Sequence, residues 1–349
     1  MYPDIPFWLS LVLMFGGLAA LAWSSDFFVD GASMLAKALG ISPFIIGMVI
    51  IGFGTSAPEL CVSMMSGAGG HPELSLGNAY GSCSFNIAAI LGIAAMIFPL
   101  VVKPGVVFVA GPALAMIALF SMYVLQDRTC TRTEAFVLLG VFAVLLPAYC
   151  WFDQKTKDGE TSEKRSMCRA NEKWSQDPRY RAIVRGRIFT GAWKTLVGLA
   201  VLVGSSHLLV WGSVDFAQMI GVSDLVIGLT IIAVGTSLPE LASAIASARR
   251  GEHEFVLGNI IGSNFFNTLA VVGVATAITP ILPPEHRFSS CVLTRDLPLV
   301  VALSLSITIF GANWRHLRWP GVINRRKSVL WLLTIIGYTI LMFYQETHG

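Results

Sequence analysis

The chain has 349 residues, of which 54% are hydrophobic and 13% charged, with a net charge of +3 and a mean hydropathy of +0.69. A soluble domain is roughly a quarter charged, so this chain lacks the polar surface of a water-soluble globule, and soluble enzymes and DNA-binding modules are excluded at the outset. The small net charge leaves no electrostatic footprint for nucleic acid, and six cysteines without CxxC or paired metal spacing make no disulfide framework.

In chain order, the N-terminus does not read as a cleaved signal peptide, because its first basic residue is Lys37 and such peptides carry a basic segment before the apolar one. The run 6–25 is instead long enough to cross a bilayer, at about 20 residues and 30 Å. Further apolar runs follow at 41–66, 75–98, 105–124 and 134–152, and then at 189–211, 223–248, 254–280, 294–313 and 328–345. The pattern predicts an all-α membrane protein of ten transmembrane helices, five before and five after a polar segment at 153–187. That segment carries ten Lys or Arg against six Asp or Glu, which places it in the cytoplasm. With few large apolar residues and no clear period, it reads as a solvated linker rather than a small regulatory domain. Ten spans put the basic loops at Arg249–Arg250 and Arg315–Lys327 on the same side. Both termini, and the loop with His71 and Glu73, are then expected outside. The predicted organisation is a first five-helix half at 1–152, the linker, and a second half at 188–349.

Displaced by 181 residues, the sequence matches itself without a gap. Ser24–Gly31 falls on Ser205–Gly212, Gly54–Leu60 (GTSAPEL) on Gly235–Leu241 (GTSLPEL), and Gly77–Asn86 (GNAYGSCSFN) on Gly258–Asn267 (GNIIGSNFFN). Between Ile41 and Gly92, 23 of 52 positions are identical to their mates. An odd number of spans per half gives the halves opposite orientation. Inverted repeats are a mark of alternating-access transporters, whose site lies at the midplane between the repeats.

Glu59 and Glu240 lie deep in predicted spans, where an acidic side chain costs about 2.5–3.5 kcal/mol on insertion scales and therefore has a partner or a function. No Lys or Arg occurs in the four spans that carry the repeats. The carboxylates must be protonated, as in a purely structural pair, or neutralised by a cation from solution, and the duplicated hydroxyls and amides around them favour the cation. Pro58 and Pro239 lack the N–H that would bond the carbonyls of Gly54 and Gly235. Freed carbonyls at membrane depth face protein or a water-filled cavity. Thr55 and Ser56 precede Glu59 by four and three residues and share its side of the turn, as Thr236 and Ser237 do for Glu240. Asn78, Ser82 and Asn86 line one face of the next span, as do Asn259, Ser263 and Asn267. Their neighbours Gly77, Gly81, Gly258 and Gly262 suit close helix packing. All the donors are hard oxygens, which suit Ca²⁺, Na⁺ or, less well, Mg²⁺, rather than Zn²⁺ or Cu⁺. Two negative charges balance one Ca²⁺ or two Na⁺. Ions competing for overlapping oxygens are the basis of antiport.

The paired GTSAPE/GTSLPE and GNAYGSCSFN/GNIIGSNFFN segments resemble the α-repeats of the calcium/cation antiporter superfamily, nearest to its compact prokaryotic sodium/calcium exchanger branch. The resemblance implies that Glu59 and Glu240 bind Ca²⁺ directly with the Thr55 and Thr236 carbonyls. It implies flanking Na⁺ sites completed by Ser56, Ser82, Ser237 and Ser263 with backbone oxygens near Gly52 and Ala233, and Asn86 and Asn267 bordering the centre. Some exchangers have Asp where this chain has Asn267, which lowers the possible site charge here. Cys83, opposite Asn264 in the repeat, is expected one residue off the ligand face. The expected activity is exchange of Ca²⁺ for Na⁺ across the cell (inner) membrane, with H⁺/Ca²⁺ antiport as the alternative. Neutral hydroxyl ligands favour Na⁺, because a proton needs only the carboxylates. No resident cofactor, no obligate protein partner and no Ca²⁺-sensing domain of the animal type are expected; the partners are the transported ions and the lipid bilayer. An intramembrane hydrolase using paired acids lacks GxGD, HExxH and GxSG motifs and leaves the duplicated amides without a role. A simple channel fits unpaired deep carboxylates poorly.

Overall fold

A computed structural model describes residues 6–39, 41–68, 72–158, 178–219, 233–282 and 288–348. The chain is mostly helical: α1 Phe7–Leu39, α2 Pro43–Thr55, α3 Ala57–Ala68, α4 from Pro72 to Ile97, α5 Val106–Val124 and α6 Arg132–Asp158. Then follow α7 Pro178–Met219, the short α8 Ala233–Thr236, α9 Leu238–Arg249, α10 His253–Ile278, α11 Val292–Gly311 and α12 Arg325–His348. Among the described residues seven helices are long and apolar enough to cross a membrane, or eight if the bent pair Pro43–Thr55 and Ala57–Met64 is one span. The chain is a multi-pass helical membrane protein.

Hydrophobicity is distributed accordingly. α10 is central, with 94% of its apolar window buried, whereas α6 has 11% of its window buried. The outer faces of α1 and α7 expose Trp8, Phe15, Phe189 and Trp193, side chains that favour lipid over water. The interior is rich in hydroxyls and amides, with Thr55, Ser56, Ser63, Asn86, Ser237, Ser243, Asn259, Ser263, Asn264 and Asn267 all buried.

α1 and α7 pack antiparallel through glycines. A Cβ on Gly17 would stand 2.7 Å from the Leu209 nitrogen, and one on Gly198 2.7 Å from Phe28 Cα. One on Gly31 would meet the Thr195 nitrogen at 2.6 Å, and one on Gly212 the Met14 nitrogen at 2.7 Å. Each contact becomes its mate when 181 is added to one residue number and subtracted from the other. The same principle joins α2 to α10, where Gly258 and Gly262 lie against the backbone of Phe44–Met48. No described atom lies within 4 Å of a Cβ on Gly77 or Gly81, and residues 225–229, which the repeat relates to Phe44–Met48, lie outside the described residues.

Loops and neighbouring helix segments contact in two sets. In one, strand β1 (Leu100–Val102) pairs antiparallel with β2 (Gly321–Ile323), Lys103 meets Glu254, Lys37 lies 3.6 Å from Glu252, and Arg250 reaches Asp30 at 3.1 Å. In the other, Cys130 bridges Ile281, Arg128 donates to the Phe288 carbonyl at 2.8 and 2.9 Å, and Ser10 meets Asp215.

Helix ends depart from the apolar runs. α1 continues to Leu39 rather than stopping near Ser25, and the expected linker begins and ends as helix, with α6 reaching Asp158 and α7 starting at Pro178. Polar residues end an apolar run without ending a helix, since Lys, Arg and Glu are good helix formers. The rest of the linker, 159–177, and the start of the run 223–248 lie outside the described residues.

Candidate ion-binding site

The two GTS-x-PE segments fold alike. Helix geometry stops at the serine, with φ −83°, ψ 5° at Ser56 and φ −92°, ψ 6° at Ser237, and resumes at the next residue. The first break bends the span by 41°. The break falls two residues before the proline, whose ring disfavours the helical conformation upstream. It sets Glu59 and Glu240 in the first turns of α3 and α9, where the helix dipole favours negative charge.

Across the interface these segments answer one another. Ser56 Oγ donates to Glu240 Oε1 at 3.1 Å, and Ser237 Oγ donates to Glu59 Oε1 at 3.3 Å. Both glutamates are buried, 1% and 0% exposed, and the Oε2 of each has no hydrogen-bond partner among the described residues. No ion pair reaches either carboxylate among those residues. Arg249 and Lys194 are engaged elsewhere, Arg249 with Asp26 and Lys194 with Asp30 at 2.7 Å. Two buried anionic groups with oxygens to spare and no protein cation nearby require a proton or an external cation.

Several expected ligands converge here. Ser263 Oγ donates to the Gly52 carbonyl at 3.2 Å, bringing together two of the expected Na⁺-site groups from different halves. Thr55 Oγ1 lies 3.0 Å from the Ile51 carbonyl and 3.2 Å from Asn259 Oδ1, and the Thr55 carbonyl closes α2. Thr236 closes α8 and Ala233 opens it. Ser82 is buried on α4 one turn before Asn86. Asn86 and Asn267 sit at the starts of π-helical turns, Asn86–Leu91 and Phe266–Val271, and such wide turns recur at functional sites. The turn with Asn267 packs against α3, and the turn with Asn86 packs against α9.

Three further contacts fill in the expected site. Asn78 and Asn259 brace the site from behind: Asn78 Nδ2 donates to the Glu59 carbonyl at 3.1 Å and to Ser63 at 2.9 Å, and Asn259 Nδ2 to the Glu240 carbonyl at 3.4 Å and Ser243 at 2.9 Å. Each locks a glutamate-bearing helix to its neighbour. Ser63 and Ser243, one turn beyond each glutamate, went unnoticed, although their spacing of four and three residues from it was a usable sign. Secondly, the Gly235 carbonyl freed by Pro239 accepts Ser206 Oγ at 2.9 Å, while the Ser56 N–H donates to the Gly52 carbonyl at 3.2 Å. Thirdly, Cys83 is engaged across the halves: its Sγ lies 3.4 Å from Thr268 Oγ1 and 3.8 Å from the Asn264 carbonyl.

A sequence profile described as sodium/calcium exchanger protein matches residues 9–150 and 190–344, which include both glutamate segments. The chain belongs to the sodium/calcium exchanger family. Its members are transporters rather than catalysts of a covalent reaction. The chain is 38% identical to CaxA of Alkalimonas amylolytica over 94% of its own length and 96% of that protein. It is 32% identical to the inner membrane protein YrbG of Escherichia coli K12 over 93% and 96%, and 28% identical to the sodium/calcium exchanger MaX1 of Methanosarcina acetivorans over 96% and 99%. In three dimensions it resembles the sodium-calcium exchanger NCX_Mj soaked with Na⁺ and Sr²⁺, with a TM-score of 0.75, 26% identity, and 97% and 99% of the two chains covered. NCX_Mj soaked with Na⁺ and Ca²⁺ gives 0.74 and 27% over 96% and 98%.

Proposed function

We propose that the protein exchanges Ca²⁺ for Na⁺ by alternating access, at a site between its halves whose charge comes from Glu59 and Glu240. The observation that carries this reading is the reciprocal bonding of each glutamate to the serine of the other half, with the second carboxylate oxygens unpartnered. One Ca²⁺ drawing on both carboxylates and the Thr55 and Thr236 carbonyls satisfies the charge. With Ca²⁺ gone, Na⁺ ions at Ser56, Ser237, Ser82 and Ser263, with Gly52 and Ala233 carbonyls, restore neutrality. Because Ser56 and Ser237 bond the glutamate oxygens themselves, Na⁺ at the serines draws on the carboxylates that Ca²⁺ needs, so the site cannot hold both, and it cannot comfortably stay empty. Asn86 and Asn267 border the centre as neutral donors.

The reading includes ten spans in two inverted halves, 1–152 and 188–349, with 153–187 and the basic loops inside and both termini outside. The reciprocal glycine contacts of α1 and α7 support the inverted arrangement. The two sets of contacts support the sidedness, since apart from the helix-to-helix contact of Ser10 with Asp215 every pair joins segments assigned to one face. Single-cysteine reporters at Lys37 and Ile220, one in the first loop of each half, in a version freed of other cysteines, should label from opposite faces; labelling of both from one face contradicts the inverted halves.

The driving ion is tested by radiocalcium uptake into proteoliposomes. An outward-directed Na⁺ gradient at fixed pH should drive Ca²⁺ inward, and Ser82→Ala and Ser263→Ala should weaken the Na⁺ dependence more than Ca²⁺ binding, since the carboxylates remain. Uptake driven by a pH gradient alone and indifferent to Na⁺ moves the protein to H⁺/Ca²⁺ antiport on the same glutamates.

A further inference from the structure

Cys83 and Asn264 stand one repeat apart and touch, Asn264 Nδ2 donating to the Cys83 carbonyl at 3.3 Å. Three residues on, Asn86 Nδ2 donates to Asn264 Oδ1 at 3.2 Å, so its amide plane is held and its Oδ1 has no partner among the described residues. The repeat relates Asn86 to Asn267, and relates the side chain that holds Asn86 to the side chain of residue 83. In place of an amide oxygen residue 83 offers a thiol, a weak acceptor, which is engaged with Thr268. Correspondingly, both Nδ2 and Oδ1 of Asn267 lack a hydrogen-bond partner among the described residues, although its side chain is fully buried. Its π turn packs against the helix of Glu59, whose Oε2 is also unpartnered.

We propose that Asn267 is the adjustable ligand of the exchange site and that Cys83 is the positioning residue that leaves it free to turn. Asn86 offers a fixed carbonyl oxygen. Asn267 directs Oδ1 at a bound cation, and on release rotates to offer Nδ2 to the vacated carboxylate. A ligand that must be ordered at each binding event lowers affinity, and one that can replace the departing ion speeds release. The inference rests on the Ca²⁺ exchange reading and adds an asymmetry between the two halves, specific to the Cys/Asn pair at 83 and 264.

The substitution Cys83→Asn supplies the missing acceptor. In proteoliposomes it should lower the KM for Ca²⁺ about three- to tenfold, the range expected of one buried neutral hydrogen bond, and lower the maximal Na⁺-driven rate with it. Asn264→Cys releases Asn86 and should raise the KM by a similar factor; it tests the same claim with opposite sign if Cys83→Asn does not insert. In an Asn267→Ala background the effect of Cys83→Asn should vanish, whereas a merely structural effect of the larger side chain persists. Persistence in that background, or KM values within twofold of wild type for both single variants, overturns the proposal while exchange stands. A wild-type protein that moves no Ca²⁺ under any gradient overturns the exchange reading itself, and this inference with it.

Discussion

Glu59→Gln and Glu240→Gln should each abolish Na⁺-driven Ca²⁺ uptake, with a loss of roughly thirtyfold to several thousandfold in initial rate. Glutamine keeps the size of the side chain and still accepts the hydrogen bond from Ser237 or Ser56, so packing is preserved while one of two fixed charges is removed. Ca²⁺ gives up hydration to enter the site, and in a low-dielectric setting only fixed anionic oxygen offsets that cost. Removing one partner from a buried, hydrogen-bonded charge pair typically costs about 2–5 kcal/mol, which gives the stated range. Stability separates this from misfolding. Without Ca²⁺ the variants should melt no lower than wild type, because an uncompensated buried charge has gone. Added Ca²⁺, which raises the midpoint of wild type by binding the native state, should no longer do so. Uptake near wild type in both variants would remove the glutamates from the site.

The second large effect concerns the contact that holds the halves together. Gly262→Val and Gly258→Val should cost about 3 kcal/mol or more, read as loss of monodisperse protein in detergent or a marked fall in melting temperature. A Cβ at Gly262 would lie 2.7 Å from Met48 Cα and 2.8 Å from its carbonyl carbon, and one at Gly258 2.9 Å from the Met48 nitrogen. These neighbours are backbone atoms of α2 and cannot yield as a side-chain tip can, so the helices must part. Overpacking of this kind commonly costs 1–3 kcal/mol or more even where side chains can adjust. Parting α2 from α10 also pulls the Gly52 carbonyl from Ser263, so surviving protein should lose Na⁺ dependence. By contrast Gly16→Ala, on an exposed face of α1 with nothing within 4 Å of its Cβ, should be neutral or stabilising, since alanine is the better helix former. Equal damage from both kinds of substitution would mean that glycine itself, rather than close approach, matters at Gly262.

Much of this protein was legible in its sequence because the governing forces act locally or leave a repeat. A bilayer admits only segments whose backbone bonds close internally, so apolar runs reveal spans. A deep carboxylate is costly enough that Glu59 and Glu240 stand out in any reading. The displacement of 181 residues then points to two like halves, and with the motifs to the exchanger family. Tertiary structure decided what periodicity cannot express. An apolar run marks where lipid begins and ends, not where a helix does, so the extension of α1 to Leu39 and of α7 back to Pro178 was hidden. Spacing of four residues puts Asn78, Ser82 and Asn86 on one face without saying what that face meets; in the fold Asn78 braces the Glu59 carbonyl, while Asn86 turns to Asn264. The bonds from Ser56 to Glu240 and from Ser263 to the Gly52 carbonyl join residues 184 and 211 positions apart, and partners at such separation are chosen by how the helices pack. Cys83 read as an incidental neighbour for the same reason: its contacts are to Asn264 and Thr268 of the other half, and they exist only where the halves meet.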